Sequence, residues 1–419
     1  MTSHRESTIQ ALPQDVPDIG PAEMNVARPS LALVALAMMA FGMGTTETIV
    51  TGLLTDIARD LISPEMTAAA LQAAGWLVSA YALGVAVAAP LLTVLTLGFP
   101  RRGILIVASA TFTIVHVMSA LSHDYWLLLA TRIMAAGVHG VAAGIALVTA
   151  AELVADDRRG WAIGVMLSGF TVANILGVPL GTFLGSALGD WRSAFWAIAG
   201  WGAVATFALF VLLPPMPVRR GASLTREIGA FTNPLLLLAL LVLALAFGSS
   251  FVAFTYIKAI LENVTHMAPT TVTLALLLFG LGMTVGNMIG SRTSDRWPLH
   301  TIFASLSLLV TILLAFTVTA HHAVAALVTI FLWGIGSYAF MPAVLLRVFQ
   351  QALSAPRLAS AMNVAICNAG ISGGALLGGY VAASPWGLMA TPGVAALVAL
   401  LCMGVVTLSV GLETSRPLG

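Results

Sequence analysis

Charge is what this 419-residue sequence has least of. Asp, Glu, Lys and Arg make up only 8% of it, against about 25% in soluble domains. Hydrophobic residues make up 59%, and mean hydropathy is +0.99. A chain this poor in charge cannot clothe itself in a water-compatible surface, so its solvent is lipid. The net charge of +1 leaves no basic field for nucleic acid and no acidic one for basic partners. Cysteine is almost absent. Cys367 and Cys402 both lie inside apolar runs, which excludes a disulfide framework and any metal-ligand spacing. They read as small core residues. No nucleophile–base spacing is visible, and the glycine-rich stretches lack the strand and lysine of a phosphate loop. No cofactor is expected, and a membrane-embedded enzyme is disfavoured.

What is present is a series of apolar runs. A spanning helix needs about 20 mainly apolar residues, and twelve such runs can be read: 31–55, 71–97, 103–121, 125–153, 161–188, 194–213, 234–256, 271–292, 301–319, 323–345, 359–383 and 388–411. Residues 1–30 are polar, with Pro13, Pro17, Pro21 and Pro29 and acids at Glu6, Asp15, Asp18 and Glu23. They lack the basic start and short apolar core of a signal peptide and read as a disordered cytoplasmic tail, with the first run as an uncleaved anchor. The longest internal polar segment, 214–233, divides two six-helix bundles at 31–213 and 234–411. Residues 412–419 form a second cytoplasmic tail.

Basic residues set the orientation. With the N-terminus inside, fourteen arginines fall in cytoplasmic segments, while only Arg59, Arg192 and Lys258 fall outside. Arg132 lies within the membrane. Trp126, Trp161, Trp191, Trp297 and Trp386 sit at run ends, where an aromatic belt belongs. The reading is a multi-pass protein of the cell (inner) membrane, both termini cytoplasmic, acting as a monomer in contact with the lipid bilayer.

The halves repeat. In the fifth run Ala173, Gly177, Gly181 and Gly185 recur every four residues; in the eleventh, Gly370, Gly374, Gly378 and Ala382 do so, displaced by 197. Arg101 and Arg102 after run two find a counterpart in Asp295 and Arg296 after run eight. Two equivalent halves with a midplane cavity between them are a transporter architecture. Small residues at every fourth position let another backbone approach. This is either plain packing or the sliding interface between the halves, and the two are compatible. Pro179 removes a backbone donor and should bend run five, which suits a gate.

Ionisable groups inside the membrane are costly, at least about 2.5–3.5 kcal/mol each at the centre. Run one holds Glu47, about 24 Å from its inner end at 1.5 Å per residue. Run four holds Arg132, about 10 Å from its outer end. Both fall in the outer half and can meet, either as a static ion pair or as a carboxyl whose protonation is coupled to transport. Burial opposes a carboxylate and a nearby arginine favours it, so a carboxyl between the two can switch. Runs seven to twelve contain no Asp or Glu in their interiors. Asp56 and Glu152, at run ends, are expected to be solvated. His116 and His139 are intramembrane, where a lone histidine usually hydrogen-bonds within the bundle. Thr46, Tyr81, His139, Asn174, Tyr256, Asn363 and Asn368 are the candidates for substrate contact. Such uncharged polar groups either glue helices together or orient a ligand.

The residues resemble the drug/proton antiporter branch of the major facilitator superfamily, in particular bacterial permeases of the chloramphenicol-resistance or arabinose-efflux type. The likeness covers about residues 31–411. It is carried by Phe41 through Glu47, Val78 through Gly84, Arg132 through Gly140, Thr171 through Thr182 (with Asn174, Gly177, Pro179 and Gly181), Thr255-Tyr256, Phe279 through Asn287 and Asn363 through Asn368. The resemblance implies export by proton antiport, with Glu47 as the proton-linked acid and Arg132 as its regulator. One departure is visible. The superfamily's motif after helix two expects an Asp where this chain has Leu97; only Asp295 and Arg296 keep the charged form. Asp295 is expected to latch onto the start of run five, at Arg158 and Arg159, when the cavity opens outward. Lys258 also looks unusual for the group. The favoured substrate is a small, partly apolar molecule such as an antibiotic; a sugar, nucleoside or other small metabolite is the alternative.

Overall fold

The computed structural model describes residues 29–96, 98–216, 233–351 and 356–414. The expected N-terminal tail up to residue 28, most of the 214–233 linker, Leu97 and residues 415–419 lie outside the described residues. Lipid offers no hydrogen bonds, so each spanning segment must satisfy its own backbone. The described residues accordingly form helices and no strand.

The first six helices are α1 (Pro29–Leu61), α2 (Ala68–Leu95), α3 (Arg101–Ala120), α4 (Tyr125–Glu152), α5 (Arg159–Leu188) and α6 (Arg192–Leu212). The second half contains α7 (Pro234–Phe254), α8 (Ile257–Asn263), α9 (Pro269–Ser294), α10 (Pro298–Thr319), α11 (Ala323–Ala339), α12 (Met341–Gln351), α13 (Pro356–Ala383) and α14 (Thr391–Thr414). Local chemistry explains several boundaries. Asp124 caps α4 by accepting from the Leu127 amide. Asn233 caps α7, and Pro234 follows at the first turn, where its missing N–H costs nothing. Gly189, at φ 67°, ends α5 in the left-handed region.

Twelve spans result, each matching one apolar run. Two extend past the runs read at 234–256 and 323–345, to Asn263 and Gln351, and each is broken on the way. The seventh is interrupted at Thr255-Tyr256 and continues as α8; the Thr255 hydroxyl bonds the Phe251 carbonyl at 2.8 Å. The tenth breaks at Phe340, where Pro342 removes a donor. Hydropathy does not sense the break at Phe340, because both of its flanks are apolar.

The apolar core is split. One cluster joins buried residues of α1 through α6, from Ala32 to Met216, and admits Tyr256, Ala259 and Ala375 at its edge. The other joins residues from Val242 to Val406 and admits Ala82 and Val178. The halves meet chiefly where α13 packs on α2 and α9 on α5.

Of the two readings of the glycine stripes, the contacts are those of packing within each half and not of a surface between the halves. A Cβ on Gly177 would meet Thr45 of α1, and one on Gly181 would lie 2.2 Å from Ile49. A Cβ on Gly374 would lie 2.2 Å from the Gly248 carbonyl oxygen of α7, and one on Gly378 2.0 Å from that of Val252. Each stripe therefore clamps two helices inside one half: α5 to α1, and α13 to α7. The physical reason is rotation about the helix axis: the face that carries the small residues is turned toward the neighbour within the same half. The inter-half contact of α5 falls on another face, where Gly280 of α9 approaches the Asn174 carbonyl.

Candidate functional site

Polar groups from four helices of the first half, with an aromatic ring from a fifth, converge in the interior of the bundle. Arg132 on α4 is 1% exposed. Its Nη1 donates to Thr46 Oγ1 on α1 at 3.1 Å, and its Nε reaches the Leu77 carbonyl of α2 at 3.5 Å. The guanidinium lies 4.1 Å from the centroid of the Tyr81 ring, an arrangement that favours a cation. Tyr81 Oη bonds His139 Nδ1 at 2.8 Å, and the His139 ring stacks on Phe170 of α5. Thr46 Oγ1 sits 2.6 Å from Nε2 of His116 on α3, whose Nδ1 is 2.7 Å from the Phe112 carbonyl.

Glu47 is the next residue after Thr46 and is only partly buried. It lies within electrostatic reach of Arg132 and Tyr81 in its own half, and of Tyr338 and Cys367 in the other. The direct Glu47–Arg132 contact that their depths suggested is not formed. Equal depth does not fix equal azimuth: Thr46, one residue and about 100° earlier on α1, takes the guanidinium instead. The Glu47 carboxylate enters no hydrogen bond or ion pair among the described residues. Arg132 Nη2, Thr45 Oγ1, Asn363 Oδ1 and Asn368 Oδ1 are buried atoms without a hydrogen-bond partner among them. These donors and acceptors belong to both halves.

The remaining expected site residues divide. Asn368 is buried, with its amide nitrogen bonded to the Val364 carbonyl at 3.1 Å. Asn174 lies where α5 meets α9. Tyr256 is not with the Glu47 group. It is wedged between the halves, its hydroxyl donating to the Ala375 carbonyl at 2.9 Å, in a slot that Gly75, Gly378 and Gly379 leave open. Asp295 is exposed and in no ion pair among the described residues; Arg158, Arg159 and Arg296 are exposed too. A groove of about 440 Å³ between α2, α3 and α4 holds none of the expected residues.

Asp56 and Glu152 depart from the expectation that run-end acids are solvated. Glu152 pairs with Arg101. Asp56, at the far end of α1, pairs across the halves with Lys258 of α8, whose side chain is 3% exposed. Lys258 also faces Glu262 at 3.7 Å, which in turn faces Arg59 at 4.0 Å. Four charges thus bind α1 to α8. The signal for this quartet was available. Asp56 and Lys258 are 202 residues apart, about one repeat, and equivalent positions near a pseudo-twofold axis meet.

Residues 33–373 match the description of the Major Facilitator Superfamily. The chain belongs to this superfamily. It is 38% identical over 377 residues to the inner membrane transport protein YdhP of Escherichia coli (strain K12), covering 90% of this chain and 95% of that one. It is 35% identical over 351 residues to a chloramphenicol resistance protein of Streptomyces lividans, covering 83% and 88%. It is 31% identical over 350 residues to a probable sugar efflux transporter of Pasteurella multocida (strain Pm70), covering 83% and 85%. Among solved structures, the partially occluded inward-open xylose transporter XylE of E. coli superposes with a TM-score of 0.71 at 15% identity, covering 93% of this chain and 98% of that one. The fold is shared with it. The chain is therefore a multi-pass membrane transporter of the superfamily, not an enzyme.

Proposed function

We propose that this transporter exports a small, partly apolar molecule across the inner membrane in exchange for protons, with Glu47 carrying the proton. The carrying observation is the partly buried Glu47 carboxylate, free of any direct partner, beside an Arg132 held by other groups. A carboxylate locked to arginine would resist protonation; one merely near it can accept a proton and return it. The chloramphenicol-resistance relative supports the substrate class, and so does the aromatic character of the second half. There Phe247 meets Tyr338 and Phe340 edge to face. The unpartnered oxygens of Asn363 and Asn368 favour the second reading, a hydroxyl-bearing metabolite such as a sugar, which the sugar-efflux relative also supports.

The arginine-rich face is cytoplasmic in this reading, and the Asp56–Lys258 quartet closes the outer face. Inward proton flow supplies about 2.3 kcal/mol per 100 mV and about 1.4 kcal/mol per pH unit. A proton taken up from outside neutralises Glu47 and lowers the cost of carrying it through the occluded state. Release to the cytoplasm restores the anion. The test begins with a susceptibility and uptake screen in an efflux-deficient host. It then measures transport of the compound found, with radiolabelled chloramphenicol as the first probe, in proteoliposomes under an imposed pH gradient. Glu47→Gln should bind substrate and allow passive exchange but not accumulate it uphill; Glu47→Asp should keep partial activity. Uphill accumulation by Glu47→Gln at the wild-type rate would sink the coupling role.

A further inference from the structure

The geometry points to His116 as a positioning residue: through the Thr46 hydroxyl it fixes Arg132 beside Glu47 yet unbonded to it. The inference rests on Glu47 being the proton-linked acid and names the group that keeps it free to titrate.

Hydrogen-bond polarity fixes the direction of each contact. A carbonyl oxygen only accepts, so the 2.7 Å contact between the Phe112 carbonyl and His116 Nδ1 places the ring proton on Nδ1. Nε2 of the neutral ring is then an acceptor. At 2.6 Å it can only receive the Thr46 hydroxyl proton. With that proton turned toward α3, a Thr46 lone pair faces Arg132, and Nη1 donates to it at 3.1 Å. Each step allows one direction, so the chain from the Phe112 carbonyl to the guanidinium has a single polarity. The ring itself is fixed by packing: its centroid lies 4.1 Å from that of Phe112 and 6.2 Å from that of Phe195 on α6. His116 is 1% exposed, so its ring is held inside the bundle.

Without the acceptor at Nε2, the Thr46 hydroxyl is free to turn back onto its own helix, as threonine does in helix interiors. Its proton then no longer points to α3, and its hold on the guanidinium weakens. The nearest anion to a released Arg132 is the neighbouring Glu47. The groups facing Glu47 are Arg132 from α4, Tyr81 from α2, Tyr338 from α11 and Cys367 from α13. The only titratable residue on α5 is Arg159, at its far cytoplasmic-side end, and the only one on α6 is Arg192, at the opposite end. Among the described residues around Glu47, Arg132 is therefore the permanently charged cation able to trap the Glu47 anion; His116 of α3 and His139 of α4 are engaged by Thr46 and Tyr81. An opposite charge in contact moves a carboxyl's titration by about 1–3 pH units.

The test is a pH titration of the purified full-length protein in lipid by infrared difference spectroscopy. The Glu47 carboxyl band is assigned by its loss in Glu47→Gln. His116→Phe keeps the ring's bulk and removes the acceptor; the band's midpoint should fall by about 1 pH unit or more. His116→Gln restores an acceptor and should leave the midpoint near wild type. Thr46→Val should reproduce His116→Phe, the pair together should shift no further, and Thr46→Val serves alone if His116→Phe does not fold. An unchanged or raised midpoint in His116→Phe and Thr46→Val overturns the inference. If no band is lost in Glu47→Gln, the reading of Glu47 as the proton carrier fails instead.

Discussion

Replacing Gly374 by alanine adds a single methyl group, and the structure gives it nowhere to go. The new Cβ would lie 2.2 Å from the Gly248 carbonyl oxygen and 3.0 Å from both Gly248 Cα and its carbonyl carbon. All three are backbone atoms of α7, so no rotamer change relieves the clash. Ordinary contact begins at 3.4 Å, so the helices must part by about 1.2 Å (3.4 − 2.2). Overpacking of this kind costs about 1–3 kcal/mol. The neighbouring Gly373 is the control: a Cβ there meets nothing within 4 Å. Gly373→Ala should be neutral, or stabilise by up to about 1 kcal/mol through helix propensity. The two buried free thiols, Cys367 and Cys402, provide the assay. A thiol-reactive dye added to purified protein reports their exposure on heating. Gly374→Ala should melt clearly below wild type and Gly373→Ala at or above it. Equal melting of the two variants would refute the close approach of α7 and α13. Alanine is better tolerated at Gly185, whose Cβ would meet the movable tip of Leu53 at 2.9 Å.

Two further predictions concern the ends of the molecule. Asp56→Asn removes the inter-half partner of the buried Lys258 ammonium. Because Asp56 is itself 33% exposed, the loss is nearer about 1–2 kcal/mol than the full value for a buried pair. It should show as faster labelling of a single cysteine at Ser79 in a cysteine-free background, and Asp56→Asn with Lys258→Met should be milder than Asp56→Asn alone. Unchanged labelling would mean the quartet does not hold that face shut. Asp295→Asn should slow transport several-fold while sparing substrate binding, since an anion at the start of α5 is favoured by Arg158 and the helix dipole in the outward-open state; an unaltered transport rate argues against that latch.

The spans were legible because hydropathy records how many residues lie in lipid, and the repeat was legible because glycine spacing survives in both halves. What could not be read was azimuth. Glu47 and Arg132 sit at matching depth, but the direction of each side chain depends on the rotation of α1 and α4, which no run boundary encodes. The same ambiguity left the stripe of α5 with two readings, packing or an interface between the halves: a smooth helix face announces a close partner without naming it. Asp56 and Lys258 were visible as isolated charges. Their pairing required placing two equivalent helix ends against each other across the axis. His116 gave no signal beyond its place inside a run, because its importance lies in two contacts made to α1 and to its own preceding turn.

The quartet that joins α1 to α8 contains two acids and two bases, Asp56 and Glu262 against Arg59 and Lys258. Its sum is zero, so making or breaking it carries no net charge through the membrane field. A single charge crossing that field exchanges about 2.3 kcal/mol per 100 mV; a neutral cluster exchanges none. Separating the four charges of this cluster is thereby insulated from the membrane voltage, which acts instead on the charges of the interior, Arg132 and Glu47 with its proton.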